Sequence, residues 1–402
     1  AYLVTGAFGA LGRLLCRTLV RRGARRLILV GRTPLPAREQ WHDLAPESPA
    51  GRNAAFLREL EALGAEPVPV ALDVTDETAL AAWLAEQRRL GHPPVRGVFH
   101  LAGQVRDTLA ADMDRETFDA VHGPKVLGAF ALHRQLAGEP LDHFVLFASI
   151  ASLLTTAGQT NYAAGNAFLD ALAHHRRAAG LPALSLDWGP WATGMVEELG
   201  LVDHYRDNRG MSSLTPEAGM AVLERVIGQD KAQLLVATVV DWPVFLSWYP
   251  APPPLVAELA ATAGRTDSSP SGRDGLLEAL RQTDEADRPK RLAAWFTALA
   301  AAVLKVPAEQ IAPDAGLGGL GLDSLLAMEL RARIATELGA TLPLVALLSN
   351  APVSELTARL HEALAGRIDA GTADADSAAI VRYEDESAYP LTQNQKALWF
   401  LK

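Results

Sequence analysis

Cysteine is almost absent from this chain: Cys16 is the single one in 402 residues. One cysteine cannot close an internal disulfide, so a reducing, cytoplasmic setting is expected. Its place on an apolar helical stretch reads as core. A run of about 18 apolar residues is missing too, and so is a signal peptide, which argues for a soluble chain with no membrane span. No long basic run occurs and the net charge is -10, which excludes nucleic acid and anionic membrane surfaces as expected partners. No internal repeat is visible. What is present is 49% hydrophobic residue, enough to bury real cores, in a length that suggests two or three domains. The chain starts directly on a strand-like run, Ala1-Tyr2-Leu3-Val4, and stops in mid-pattern at Phe400-Leu401-Lys402. Both ends therefore read as cuts from a longer polypeptide.

Residues 1–250 alternate apolar strand-like runs with amphipathic helical stretches. The runs include Leu27 to Val30, Val68 to Leu72, Gly97 to His100, His143 to Phe147 and Ala183 to Leu186. Continuous apolar strands of this kind are buried on both faces of a parallel sheet, and strands alternating with helices predict a Rossmann-like, doubly wound α/β fold. Residues 251–275 carry Ala-Pro-Pro-Pro-Leu and then Thr266-Asp267-Ser268-Ser269-Pro270-Ser271-Gly272, a linker composition. Residues 276–366 look all-helical, as a small four-helix bundle. Leu292, Trp295, Phe296 and Leu299 mark one apolar stripe; Leu326, Leu330, Ile334 and Leu338, stopped by Gly339, mark another. Residues 367–388 are polar and acidic, a second linker. Residues 389–402 turn apolar again.

Thr5-Gly6-Ala7-Phe8-Gly9-Ala10-Leu11-Gly12 follows the first strand and opens a helix running to Arg22. Gly6 permits a tight turn, Gly9 lets backbone approach a pyrophosphate at the helix N-terminus, and Gly12 allows close helix–sheet packing. Phe8 and Leu11 belong to the same cradle. The second strand ends in Gly31-Arg32. An arginine there fits a ribose 2′-phosphate, which favours NADP(H); the alternative is a solvated loop cation. Asp73-Val74 closes the third strand, where an adenine edge could be met, or where Asp73 could instead hold a turn.

Ser149 follows the strand that ends at Phe147, Tyr162 comes 13 residues later, and Asn166 lies four beyond that, one helical turn on. Serine can hydrogen-bond a carbonyl, and tyrosine can protonate the alkoxide left by hydride addition. A phenol with a pKa of about 10 needs a nearby cation for this. The common short-chain reductase pattern has a lysine four residues after the tyrosine, and here that position is Asn166. Lys125, in Val121-His122-Gly123-Pro124-Lys125-Val126-Leu127-Gly128, stands 24 residues before Ser149. This set resembles the ketoreductase domains of modular polyketide synthases, in which lysine and asparagine exchange sequence positions and keep their roles.

The resemblance implies a catalytic tetrad of Lys125, Ser149, Tyr162 and Asn166. It extends to His100-Leu101-Ala102-Gly103, which places Ala102 and Gly103 at the cofactor, and to Leu186-Asp187-Trp188-Gly189-Pro190-Trp191. Two departures stand out. Ala7-Phe8 replaces a more usual glycine and small polar residue, and the family's upstream structural subdomain is not in this sequence. Asp107, in Val105-Arg106-Asp107, matches the last residue of the family's Leu-Asp-Asp stereocontrol motif, and Leu154 stands where the other class has tryptophan. The resemblance therefore implies a D-configured 3-hydroxyl, with a plain loop carboxylate as the alternative for Asp107.

Gly321-Leu322-Asp323-Ser324-Leu325 opens the amphipathic run to Leu338. A helix N-terminus favours a phosphodiester, although a serine there is also an ordinary N-cap. The stretch resembles an acyl carrier domain, which implies a 4′-phosphopantetheine on Ser324 and a phosphopantetheinyl transferase as partner. Tyr389-Pro390-Leu391-Thr392, with Leu398-Trp399-Phe400-Leu401 after it, resembles the opening of a nonribosomal peptide synthetase condensation domain; an apolar peptide docking on a neighbour is the alternative. Together these resemblances imply NADPH-dependent reduction of a carrier-tethered 3-ketoacyl thioester in secondary metabolism. Neighbouring synthase and condensation domains would be partners, and the parent synthase a homodimer. The rival from another class is an inactive reductase that serves as an assembly scaffold with carrier function alone.

Overall fold

The computed structural model describes residues 1–246 apart from 109, 155–157, 199–201 and 240, residues 253–262, and residues 276–369 apart from 278, 305, 323 and 341. The chain divides into two compact units, Ala1–Ser269 and Pro270–Lys402.

In the first unit the apolar runs become strands β1 (Tyr2–Thr5), β2 (Arg26–Gly31), β3 (Glu66–Ala71), β4 (Gly97–His100), β5 (His143–Ser149) and β6 (Leu184–Trp188). A short β7 (Met211–Ser212) pairs antiparallel with β9 (Thr238–Val239), apart from the main sheet, and β8 is Gln233–Val236. The main sheet has the order β3-β2-β1-β4-β5-β6-β8, and all its pairings are parallel. The order reverses at β1/β4, where neighbouring helices leave in opposite directions and open a crevice at the strands' carboxyl ends.

Side-chain alternation explains why both faces are covered. Val4, Leu27, Leu29, Val145 and Phe147 point to one face and pack with Leu15, Cys16 and Val20 of helix α1 (Ala10–Arg21) and Phe56, Leu57 and Leu60 of helix α2 (Pro49–Ala62). Leu3, Ile28, Val30, Phe144 and Leu146 point to the other. There they meet helices α3 (Glu77–Arg89), α5 (Gly128–Gln135) and α6 (Thr160–Ala178), through Leu80, Leu84, Leu132, Leu169 and Leu172. Cys16 is the core residue expected; burial pushes its thiol up to about 12, which leaves it unreactive. Helix α4 (Arg115–His122) runs into a π-helical turn, Gly123–Leu127, before α5 begins.

Part of the expected 251–275 linker is folded instead. Pro254–Val256 form a 3-10 turn and Ala257–Thr262 a helix. Val256 is buried in a cluster with Ile150, Leu154, Met211 and Phe245, so an apolar anchor outweighs the proline-rich composition. Residues 263–275 lie outside the described residues.

The second unit is helical, with helices Arg288–Leu304, Ser324–Leu338, Leu344–Leu348 and Val353–Asp369. Its core holds Leu292, Phe296 and Leu299 from the first expected stripe and Leu330, Ile334 and Leu338 from the second. The last helix continues three residues past the boundary expected at 366. The expected second linker beyond Asp369 and the condensation-like stretch 389–402 lie outside the described residues. Among the described residues no helix is long and apolar enough to cross a membrane.

Candidate active site

The turn between β1 and α1 has the shape a pyrophosphate needs. Gly6 has a φ of +67° and lies so close to the Leu101–Ala102 peptide that a side chain there would meet it at 2.9 Å. A Cβ on Gly12 would run into the carbonyl oxygen of Gly6, so helix and turn touch through backbone. Gly9 is exposed, and a Cβ there would have only the Gly6 oxygen near it, at 3.4 Å. That leaves bare backbone at the head of α1, whose first-turn N–H groups suit a phosphate. No acidic residue stands in that turn. Phe8 does not block it: its ring turns away toward Gly31 and packs edge-on against Phe56, 6.4 Å between centroids. Leu11 packs on the core beside it.

Arg32 is exposed just past β2. Its neighbours in charge are committed elsewhere: Arg13 donates to the Phe8 carbonyl (3.0 Å) and to Asn53 (2.6 Å), and Arg38 pairs with Glu61. Asp73 takes the turn role, accepting from the Thr75 amide (2.9 Å) and hydroxyl (2.8 Å). The Val74 side chain is buried and packs on the opposite side, against Gly128, so only its backbone is left to face a ligand. Ala102 donates its amide to Thr5 Oγ1 (3.2 Å), and Gly103 is exposed beside it.

The tetrad residues come together from three elements. Ser149 ends β5, Tyr162 and Asn166 stand one turn apart on α6, and Lys125 arrives from the π-helical turn. The wide turn has a consequence for direction: Lys125 points inward, 5% exposed, while Leu127 two residues on is 58% exposed. The lysine stem passes between Gly103 and Gly165, where added Cβ atoms would stand 3.1 Å and 3.5 Å from it. Its Nζ donates to the Phe147 carbonyl (3.2 Å) and sits 5.3 Å from the centre of the Tyr162 ring.

A buried hydrogen-bond chain holds that turn in place. The amides of Leu101 and Ala102 donate to Thr5 Oγ1, which leaves its hydroxyl proton for His100 Nδ1 (2.8 Å). His100 Nε2 then donates to the carbonyl of Pro124 (3.0 Å), the residue before Lys125. Burial, with Lys125 beside it, drives His100 down to about 3, so the ring stays neutral and keeps this tautomer.

Burial raises the Tyr162 phenol, and hydrogen bonds from Ser149 and Asn166 pull it back down. Asn166 Nδ2 donates to the Tyr162 carbonyl (2.8 Å), and its Oδ1 is buried without a hydrogen-bond partner among the described residues. Lys125 is lowered to about 8 by burial, against which Asp170 and Asp187 act. Asp107 lies in the loop after β4 and acts on the Tyr162 phenol. It accepts from Gln159 (3.2 Å), while Asn161 Nδ2 donates to the Arg106 carbonyl (3.0 Å) and the Thr108 amide to the Gly158 carbonyl (2.8 Å). Burial raises Asp107, and Gln159 and Arg209 oppose the rise. The loop is thus fastened to the start of α6 next to Tyr162.

Sequence reasoning missed the Thr5–His100 chain and the buried carboxyls Asp170 and Asp187. The signal was there for the last two. Asp170 continues the four-residue spacing of Tyr162 and Asn166, and Asp187 is a charge inside an apolar strand.

In the second unit Ser324 is the first residue of its helix. The approach to it is pinned by Asn350, whose Oδ1 accepts from the Gly318 amide (3.1 Å), and by the Leu322 amide donating to the Leu317 carbonyl (3.1 Å). Asp323 lies outside the described residues.

A parallel sheet with a dinucleotide turn and a Ser/Tyr/Lys set defines a short-chain dehydrogenase/reductase unit. Residues 1–193 match the KR domain family and residues 294–360 the phosphopantetheine attachment site family. The spectinabilin polyketide synthase system protein NorB of Streptomyces orinoci is 36% identical over 98% of this chain and 18% of its own length. The ketoreductase from the first module of phoslactomycin biosynthesis in Streptomyces sp. HK803 is 37% identical, with a TM-score of 0.55 over 63% of this chain and 56% of that one. A structure of A-type ketoreductases from a modular polyketide synthase is 34% identical, with a TM-score of 0.57 over 65% of this chain and 53% of that one. The chain therefore carries a ketoreductase domain of the polyketide synthase family followed by a phosphopantetheine carrier domain. The cofactors of the two domains are NADPH and 4′-phosphopantetheine. The chain spans less than a fifth of the length of this curated relative.

Proposed function

We propose that the reductase unit is active and reduces a 3-ketoacyl thioester, held on a phosphopantetheine arm at Ser324, to the 3-hydroxyacyl thioester. The observation that carries this reading is the Lys125 ammonium 5.3 Å from the Tyr162 ring, with Ser149 at the end of β5 and Asn166 one turn along α6 from the tyrosine. Bound NADPH would supply hydride, held by the Gly6–Gly12 turn and Arg32. Ser149 and Tyr162 bind the ketone oxygen, and Tyr162 gives it the proton it needs as negative charge develops. Lys125 stabilises the phenolate left behind, and Asn166 orients the lysine or a relay water.

The fastening of the Asp107 loop beside Tyr162 supports the Asp107 role in substrate direction, and with it a D-configured hydroxyl. Partners proposed on the same basis are a phosphopantetheinyl transferase, neighbouring synthase domains, a condensation domain downstream and a second copy in the parent synthase. The proposed setting is the cytoplasm, in keeping with one buried thiol. The test is NADPH oxidation with a soluble 3-ketoacyl thioester, followed by chiral analysis of the product. Turnover to the D-alcohol is expected. NADPH binding without turnover would establish the scaffold reading instead.

A further inference from the structure

Two carboxyl groups that act on Lys125 are buried in the first unit. Asp170 is on α6, two turns beyond Tyr162, and Asp187 is inside β6; they are 7% and 0% exposed. Neither has a cationic partner in direct contact among the described residues. Asp170 Oδ1 accepts from Ser185 Oγ (2.6 Å). Asp187 Oδ2 accepts from Gln233 Nε2 (2.7 Å), and the Gln233 oxygen faces His174 Nε2 (3.2 Å) at the protein surface. Asp187 Oδ1 is buried without a hydrogen-bond partner among the described residues. An oxygen in that position is the one expected to carry a proton and offer it to Asp170. Two ionised carboxylates buried side by side repel, so the pair is stable with one shared proton and one negative charge.

We propose that Asp170 and Asp187 are positioning residues of the reductase, a carboxyl pair holding one proton whose single negative charge keeps the Lys125 ammonium charged beside Tyr162. The inference rests on the ketoreductase reading above. Among the described residues, Asp170 and Asp187 are the anions that act on the lysine. Near it are neutral His100 from β4, the Phe147 carbonyl from β5, Tyr162 and Asp170 from α6, and Asp187 from β6. The groups around the pair are Ser185, Ser152, Gln233 and Lys125, and none but the lysine carries charge. Burial and the nearness of Asp170 both push Asp187 up, in the direction the shared proton requires. A fully buried ammonium with no anion near it would give up its proton at neutral pH and lose its hold on the phenol.

The charge count makes an unusual expectation. Asp170→Asn and Asp187→Asn each leave one carboxylate, so the net charge of the pair does not change. Only the double variant removes it. In the full chain, the alkaline limit of ketone reduction should hardly move in either single variant. In the double variant it should move down by more than one pH unit, a loss of more than about fivefold at pH 8 that is recovered near pH 6. NADPH fluorescence, which the pair does not touch, reports that the variants are folded. An unmoved limit in the double variant, or a loss equal at every pH, overturns the proposal. Carboxyl-carbon NMR of the unaltered protein needs no variant to fold and no turnover. One carboxyl of the pair should stay protonated at pH 7 while the other is ionised; two ionised or two protonated groups overturn it. Absence of turnover with that NMR result intact would strike the ketoreductase reading and leave the charge of the pair established.

Discussion

The Tyr162 phenol is the group on which the proposed reduction turns, and its surroundings set the consequences of changing it. Tyr162→Phe removes the proton donor but leaves the ring in place over Lys125. Reduction should fall by at least about 100-fold, the usual lower value for a lost general acid, with the NADPH dissociation constant unchanged. Steady-state turnover with a fluorescence titration of NADPH checks both halves. The pH dependence follows from Lys125, lowered to about 8 by burial. Only the protonated lysine stabilises a phenolate, so activity should be level below that value and fall as pH rises through it. The phenol, raised by burial, stays protonated over this range and does not impose a lower limit. Arg32, exposed and among the described residues without an ion partner, is the charge left for a 2′-phosphate. Arg32→Ala should weaken NADPH by about tenfold, the worth of one charge-assisted hydrogen bond, and leave NADH nearly untouched. Equal losses with both cofactors would remove Arg32 from the phosphate site.

Elements rather than residues decide how the tetrad assembles. Tyr162, Asn166 and Asp170 are stacked on α6 by its 3.6-residue period, which was visible in the spacing of the sequence. The inward turn of Lys125 was not, because it depends on a π-helical turn that no local pattern announces. The Thr5–His100–Pro124 chain was equally hidden: its members are 95 and 24 residues apart and meet only through the sheet. The apolar strands were legible because burial on both faces demands unbroken hydrophobic runs. β8 was not, since its exposed Leu235 and half-buried neighbours lack that signal. Helix α1 meets the β1 turn backbone to backbone at Gly12, and overpacking there costs roughly 1–3 kcal/mol. Gly12→Ala should lower the melting temperature of the reductase unit and weaken NADPH together, as measured by calorimetry and fluorescence. Stability lost with cofactor affinity unchanged would mean the turn is not where the pyrophosphate sits.

The whole chain joins two units with separate cores, and each carries half of the proposed chemistry. Composition marked the passage between them but overstated its length, because Val256 folds back into the first unit's apolar cluster. The carrier helices were legible from their stripes, and Gly339 stops the second where expected. Covalent tethering is the claim that ties the halves together. The account expects a phosphopantetheinyl transferase and a 3-ketoacyl coenzyme A thioester to load Ser324 with a 3-ketoacyl phosphopantetheine, with Ser324→Ala as the control. Intact-protein mass spectrometry before and after adding NADPH then reads the reaction directly. The loaded protein should gain the mass of two hydrogens, and Tyr162→Phe should not. A loaded arm whose mass stays the same with Tyr162 in place would contradict the account.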